Sequence, residues 1–91
     1  MTEEEIRGVV EPILRRHLEP FGFEAAEVAS GRDHGGNPAI FISARYRPTD
    51  PEEAGKARIH ASLAVRDALE SRGEERYPYI RHLIPDPEPR P

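Results

Sequence analysis

The sequence predicts a small α+β domain, a two-layer sandwich in the order α-β-β-α-β, with a β-hairpin and an edge strand packed by two helices. Three observations carry this reading. Aliphatic residues recur at helical spacing over residues 3–18, an alternating run at 39–47 follows a dense cluster of turn formers, and a second helical pattern stops at Gly73 before a short alternating segment. At 91 residues the chain holds one domain, placed at residues 1–84, followed by a proline-rich tail at 85–91.

The first helix is announced by a capping box, Thr2 with Glu5 three residues on. Ile6, Val9, Val10, Ile13, Leu14, His17 and Leu18 then fall on one face, which is assigned to the core. Pro12 lacks an N–H and its ring presses on the carbonyl of residue 8, so a kink is expected there, made tolerable by Gly8. The stripe stays in phase across Pro12, which predicts one helix from about residue 3 to 18.

Pro20-Phe21-Gly22 is a turn. Phe23 to Ser30 follows as a strand, with Ala26 and Val28 assigned to one face and Phe23 and Ala25 to the other. The cluster from Gly31 to Pro38 is hairpin chemistry, since it joins two strands, lacks the lysine of a phosphate-binding loop and opens no helix. The second strand, Ala39 to Arg47, sends Ile40, Ile42, Ala44 and Tyr46 one way and Phe41, Ser43, Arg45 and Arg47 the other.

A second helix is expected from a start at Thr49, Asp50 and Pro51 to about Ser71. Its core face reads Ala54, Ala57, Ala61, Ala64, Val65, Ala68 and Leu69. Ile59 and Leu63 fall roughly opposite, where core packing does not account for them. If another protomer covers them, a symmetric dimer follows. Arg76 to Ile84 reads as a third strand, with Tyr77 and Tyr79 on one side and Pro78, Ile80 and His82 on the other; Pro78 confines it to a sheet edge.

The net charge of −4 is uneven: residues 1–29 contain three Arg and seven Glu, whereas residues 30–82 carry nine basic and eight acidic groups. This balance disfavours a general phosphate binder while allowing a local basic strip. There is no cysteine, hence neither a disulfide framework nor a thiolate metal site, and the expected setting is a reducing, cytoplasmic one. The acidic start and short apolar runs speak against a signal peptide and against a membrane partner.

His17, Asp33, His34, His60 and His82 are the candidate metal ligands, and none stands at a recognised ligand spacing. No nucleophile elbow or Ser flanked by a base occurs. The expectation is no catalytic residue, no metal and no cofactor. What remains is binding. The candidate partner-binding residues are Phe41, Arg45, Arg47, Ile59, Leu63, Tyr77, Tyr79 and Arg81, a mix of arginine and aromatics found both in protein interfaces and in base-stacking surfaces. The sequence points to a non-catalytic protein-binding module, acting as a homodimer or as a small partner or regulator of another protein, with RNA or ribosome association as the alternative.

The run Leu18-Glu19-Pro20-Phe21-Gly22-Phe23-Glu24-Ala25-Ala26-Glu27-Val28, together with the element order, resembles the N-terminal domain of bacterial ribosome maturation factors. The order is also similar to that of KH-like ribosome-binding factors. The likeness spans about residues 5–84 and implies a ribosomal or RNA partner. The chain departs from these families in lacking a GXXG loop between helices and in its acidic charge, and no second domain is expected after its third strand, so no functional residue is carried over.

Overall fold

Thr2 starts the first helix as its spacing predicts. In the computed structural model, which describes residues 1–48 and 54–85, Thr2 Oγ1 accepts from the Glu5 N–H at 3.1 Å and the Glu5 carboxylate accepts from the Thr2 N–H at 2.9 Å. Helix α1 (Glu3–Leu18) runs unbroken through Pro12. Ile6, Val10, Leu14 and Leu18 are fully buried, Val9 and Ile13 pack at the margin, and Gly8 and Pro12 face solvent. A methyl group at Gly8 would meet nothing within 4 Å. Gly8→Ala is therefore expected to raise the unfolding free energy by about 0.5–1 kcal/mol, measured by urea denaturation, because it restricts only the unfolded chain.

A 3-10 turn, Glu19–Phe21, ends at Gly22, whose φ of 97° is left-handed and suits only glycine without strain. The Gly22 carbonyl then accepts from the Arg47 N–H at 2.9 Å, tying the turn to the end of the second strand. Strands β1 (Phe23–Arg32) and β2 (Pro38–Tyr46) form the predicted hairpin, antiparallel, with Val28 opposite Ile42. One expectation fails. Phe23 lies on the helix-facing side with Ala26, not with Ala25, because the register shifts between Phe23 and Ala25 and the extra residue turns Phe23 inward. There it meets Tyr46 edge-on, ring centroids 6.0 Å apart.

Helix α2 (Gly55–Ser71) is followed by Gly73, φ +81°, whose N–H donates to the Glu70 carbonyl, so the helix stops where glycine predicts. The predicted cap residues Thr49, Asp50 and Pro51 and the tail beyond Pro85 lie outside the described residues. Because α2 crosses back over the sheet, β3 (Tyr77–Leu83) joins β2 in parallel, giving the strand order β1-β2-β3 with β2 central and β3 at an edge.

Both helices pack on one face of this mixed sheet. Ile40, Ile42, Ala44 and Tyr46 join Ala61, Val65 and Leu69 of α2 and the apolar stripe of α1 in one core. The other face carries no second layer among the described residues. Among the described residues no helix is long and apolar enough to cross a membrane.

Candidate partner-binding face

The uncovered face is built by strand alternation and register. Parallel pairing sets Phe41 beside Tyr79, Ser43 beside Arg81, Arg45 beside Leu83 and Ala39 beside Tyr77, all on the side away from the helices. The Phe41 and Tyr79 rings stack at 5.6 Å with an interplanar angle of 18°, and Tyr77 leans on Tyr79 at 4.7 Å. A Cβ at Gly31 would lie 2.8 Å from Phe41 Cε2, so the Phe41 ring rests across the glycine of the neighbouring strand. Glycine is needed there for that close approach. The result is an aromatic surface spanning three strands, with Phe41, Tyr77 and Tyr79 each 37–48% exposed.

Polar groups frame the rings. Tyr79 donates its hydroxyl to Asp33 Oδ2 at 3.1 Å, and Asp33 Oδ1 accepts from the Gly35 and Asn37 N–H groups at 2.9 and 3.0 Å. These bonds, the one from Asn37 foremost, hold the Asp33 carboxyl below its ordinary pKa. Loss of solvent, reinforced by the Asp33 carboxylate, raises the Tyr79 phenol. Both groups keep their roles at neutral pH. Arg66 lies 5.5 Å over the Tyr77 ring, and Arg45 meets Glu27 at 3.2 Å in an exposed pair of small energetic value. Among the described residues Arg81 has no charged partner. Arg32, Asp33, His34, Phe41, Tyr79 and Arg81 line one groove on this face.

The eight sequence-predicted residues thus divide. Phe41, Arg45, Tyr77, Tyr79 and Arg81 share the open face, and Arg47 stands at its end, beside a separate hollow with Arg45 and Leu83. Ile59 and Leu63, 61% and 53% exposed, lie in the helix layer, where they border a groove with Ile80 and His82 on the opposite side of β3. Asp33, Gly31 and the exposed Leu83 belong to the open face as well; the sequence singled out Asp33 only as a candidate metal ligand, and Gly31 and Leu83 not at all. The signal for Asp33 was its place three residues before Gly36 in a turn-forming cluster, where a carboxylate collects backbone N–H groups.

The histidines do not converge, and among the described residues no three His, Asp or Glu side chains come together. His82 has a structural partner. Its Nδ1 lies 2.6 Å from the Tyr46 hydroxyl inside the helix-facing layer. Burial pushes the Tyr46 phenol up to about 12, and burial, then the Arg58 charge, pushes His82 below its usual value. Both shifts favour a neutral phenol and a neutral imidazole, and with the ring proton on Nε2 the Tyr46 hydroxyl donates a hydrogen bond to His82 Nδ1.

No protein-family model and no curated protein sequence matches this chain.

Proposed function

We propose that this chain is a non-catalytic protein-binding module whose partner docks on the uncovered sheet face. The observation that carries the reading is the exposed, stacked Phe41–Tyr79–Tyr77 surface. Rigid rings held by their neighbours lose little entropy on binding and dominate interface energetics when desolvated. The partner surface this face fits has an apolar centre and a carboxylate opposite Arg81, whose guanidinium matches that group bidentately. The mixture of Asp33, Glu27, Arg45 and Arg81 around the rings suits protein better than a polyanion, as does the net charge of −4.

The test is affinity capture with the full chain, compared with Phe41→Ala and Arg81→Glu. Arg81→Glu is expected to keep the wild-type unfolding midpoint and Phe41→Ala, which gives up the stack on Tyr79, to lower it while remaining folded; both are expected to lose the captured protein by at least about tenfold, the scale of one interfacial anchor. Capture that both variants leave intact would refute the reading.

The rival is a single-stranded RNA ligand, and one observation favours it. Two stacked rings on an open sheet beside Arg81, a guanidinium with no charged partner among the described residues, are the parts that stack bases and pair phosphates. It is also the reading that the ribosome-factor resemblance suggests. Retention on RNA at low salt that falls steeply as salt rises, and weakens on Arg45→Glu, would replace the protein reading.

A further inference from the structure

The two edges of the sheet are treated differently. Along β1, the N–H of Ala26 donates to Glu11 Oε2 at 3.3 Å, the N–H of Ser30 donates to Glu3 Oε2 at 2.8 Å, and the Glu24 carbonyl accepts from Arg15 Nη2 at 3.0 Å. Side chains of α1 thereby occupy main-chain groups that a further strand would need, a common way of closing an edge. The outer side of β3 borders two open grooves instead. One is shared by Ile59, Leu63, Ile80 and His82, the other by Leu63, Arg66, Tyr77 and Ile80. Above this edge stand the exposed Ile59 and Leu63.

We propose that a second copy of this chain covers that edge, its β3 antiparallel to this β3, about a two-fold axis passing by Ile80 and Leu63. The midpoints of the two elements lie together, and part of each sequence fits its own inverse about them. Ile80 is the midpoint of β3 (Tyr77–Leu83) and Leu63 the midpoint of α2 (Gly55–Ser71), and both line the same two grooves, so one axis serves strand and helix together. About Ile80, Tyr77 comes opposite the partner's Leu83 and Tyr79 opposite the partner's Arg81, a ring against an aliphatic chain and a ring against a guanidinium. About Leu63, the exposed row of α2 runs antiparallel to itself, leucine against leucine at the centre and Lys56 against the partner's Glu70. Lys56 and Glu70 are thus complementary under this reversal, whereas Ile59 falls against the partner's Asp67. A self-complementary patch is what a two-fold interface requires.

Pro78 has no N–H to donate, so the strand pairing stays short and the helix contact must supply much of the stability. The result is a modest dimer, with a dissociation constant of about 1–100 µM. It joins two three-stranded sheets into one of six and brings the two aromatic faces side by side. The proposal shares Tyr77, Tyr79 and Arg81 with the rim of the sheet-face reading, but its axis lies at the β3 edge and Leu63, which that reading does not use, so the Leu63 variants test it alone.

Sedimentation velocity across concentrations from about 1 to 500 µM, which bracket such an affinity, is expected to show a shift from 10.3 kDa toward twice that mass. Leu63→Glu places two carboxylates at the axis and is expected to leave a monomer with wild-type far-UV circular dichroism. Lys56→Glu should weaken association about tenfold, and adding Glu70→Lys should restore most of it. The chain lacks cysteine, so Leu63→Cys gives a single thiol, expected to join to its own copy through two thioethers with a short bis-maleimide crosslinker while Glu4→Cys does not. A monomer at every concentration would overturn the proposal, and so would a dimer indifferent to Leu63→Glu. Loss of partner capture in the Phe41 variant, with the dimer intact, would leave both conclusions separate.

Discussion

Replacing Glu74 by alanine is expected to lower the unfolding free energy by about 2–3 kcal/mol at pH 7 and to flatten the acid limb of stability. Glu74 is only 8% exposed, yet it is charged. Its carboxylate accepts from the Arg76 main-chain N–H at 3.1 Å, from Arg76 Nε at 3.0 Å and Nη2 at 2.9 Å, and from the amino group of Met1 at 3.4 Å. Arg76 reaches on to Ser30 Oγ and to the Met1 carbonyl. One carboxylate thus organises the contacts joining the start of α1, the end of β1 and the turn before β3, and its loss leaves the guanidinium partly buried without its counter-ion.

The Arg76 hydrogen bonds, opposed by burial, hold the Glu74 carboxyl at about 2 against an ordinary 4.5. Since the folded-state pKa lies below the unfolded one, the unfolded chain binds the proton first as pH falls. The stabilisation is present in full above about 4.5 and is lost as pH falls toward about 2. Urea unfolding at pH 7, 4 and 3 checks this: wild type and Glu74→Gln should converge as acidity rises. A gap between them that stays constant would show that the charge is unimportant.

His82 adds in the same direction at a higher pH. Its folded pKa is lowered, so the stability linked to the neutral ring is complete above about 6.5 and declines below it.

Helix α1 was legible because every signal for it is local: cap, acid at the third position and an apolar period all lie within one stretch of sequence. The edge position of β3 was legible for the same reason, from Pro78. Phe23 was misplaced because its orientation is decided by an extra residue in the pairing with β2, and strand alternation within β1 carries no trace of that. The open face was readable as parity, which put Phe41 and Arg45 together and Tyr77, Tyr79 and Arg81 together. Parity does not say how the two strands align. The Phe41–Tyr79 stack and the bond from Tyr79 to Asp33, 46 positions away, depend on the β2–β3 register that α2 sets. The same holds for His82, whose partner Tyr46 is 36 positions away.

Two identical substitutions should behave in opposite ways and so separate core from surface. Leu14 is fully buried in α1, the helix that packs on both β1 and α2. Leu14→Ala removes three carbons from a close-packed region and leaves a cavity, at an expected cost of about 3 kcal/mol within a usual range of about 2–5. At about 0.05–0.15 kcal/mol per residue a chain of this size has roughly 5–13 kcal/mol to lose, so the variant should unfold at a visibly lower urea concentration. Leu63→Ala deletes the same atoms from a side chain that already faces water in the monomer. In dilute solution it should change stability by no more than about 0.5 kcal/mol. At concentrations where copies associate, the ranking changes: Leu63→Ala then loses the stability that self-association supplies, because a ligand bound only by the folded state raises the unfolding midpoint with concentration. Wild type and Leu14→Ala should both gain stability as protein concentration rises, and Leu63→Ala should not. A concentration-independent midpoint in all three would assign Leu63 to ordinary solvent exposure.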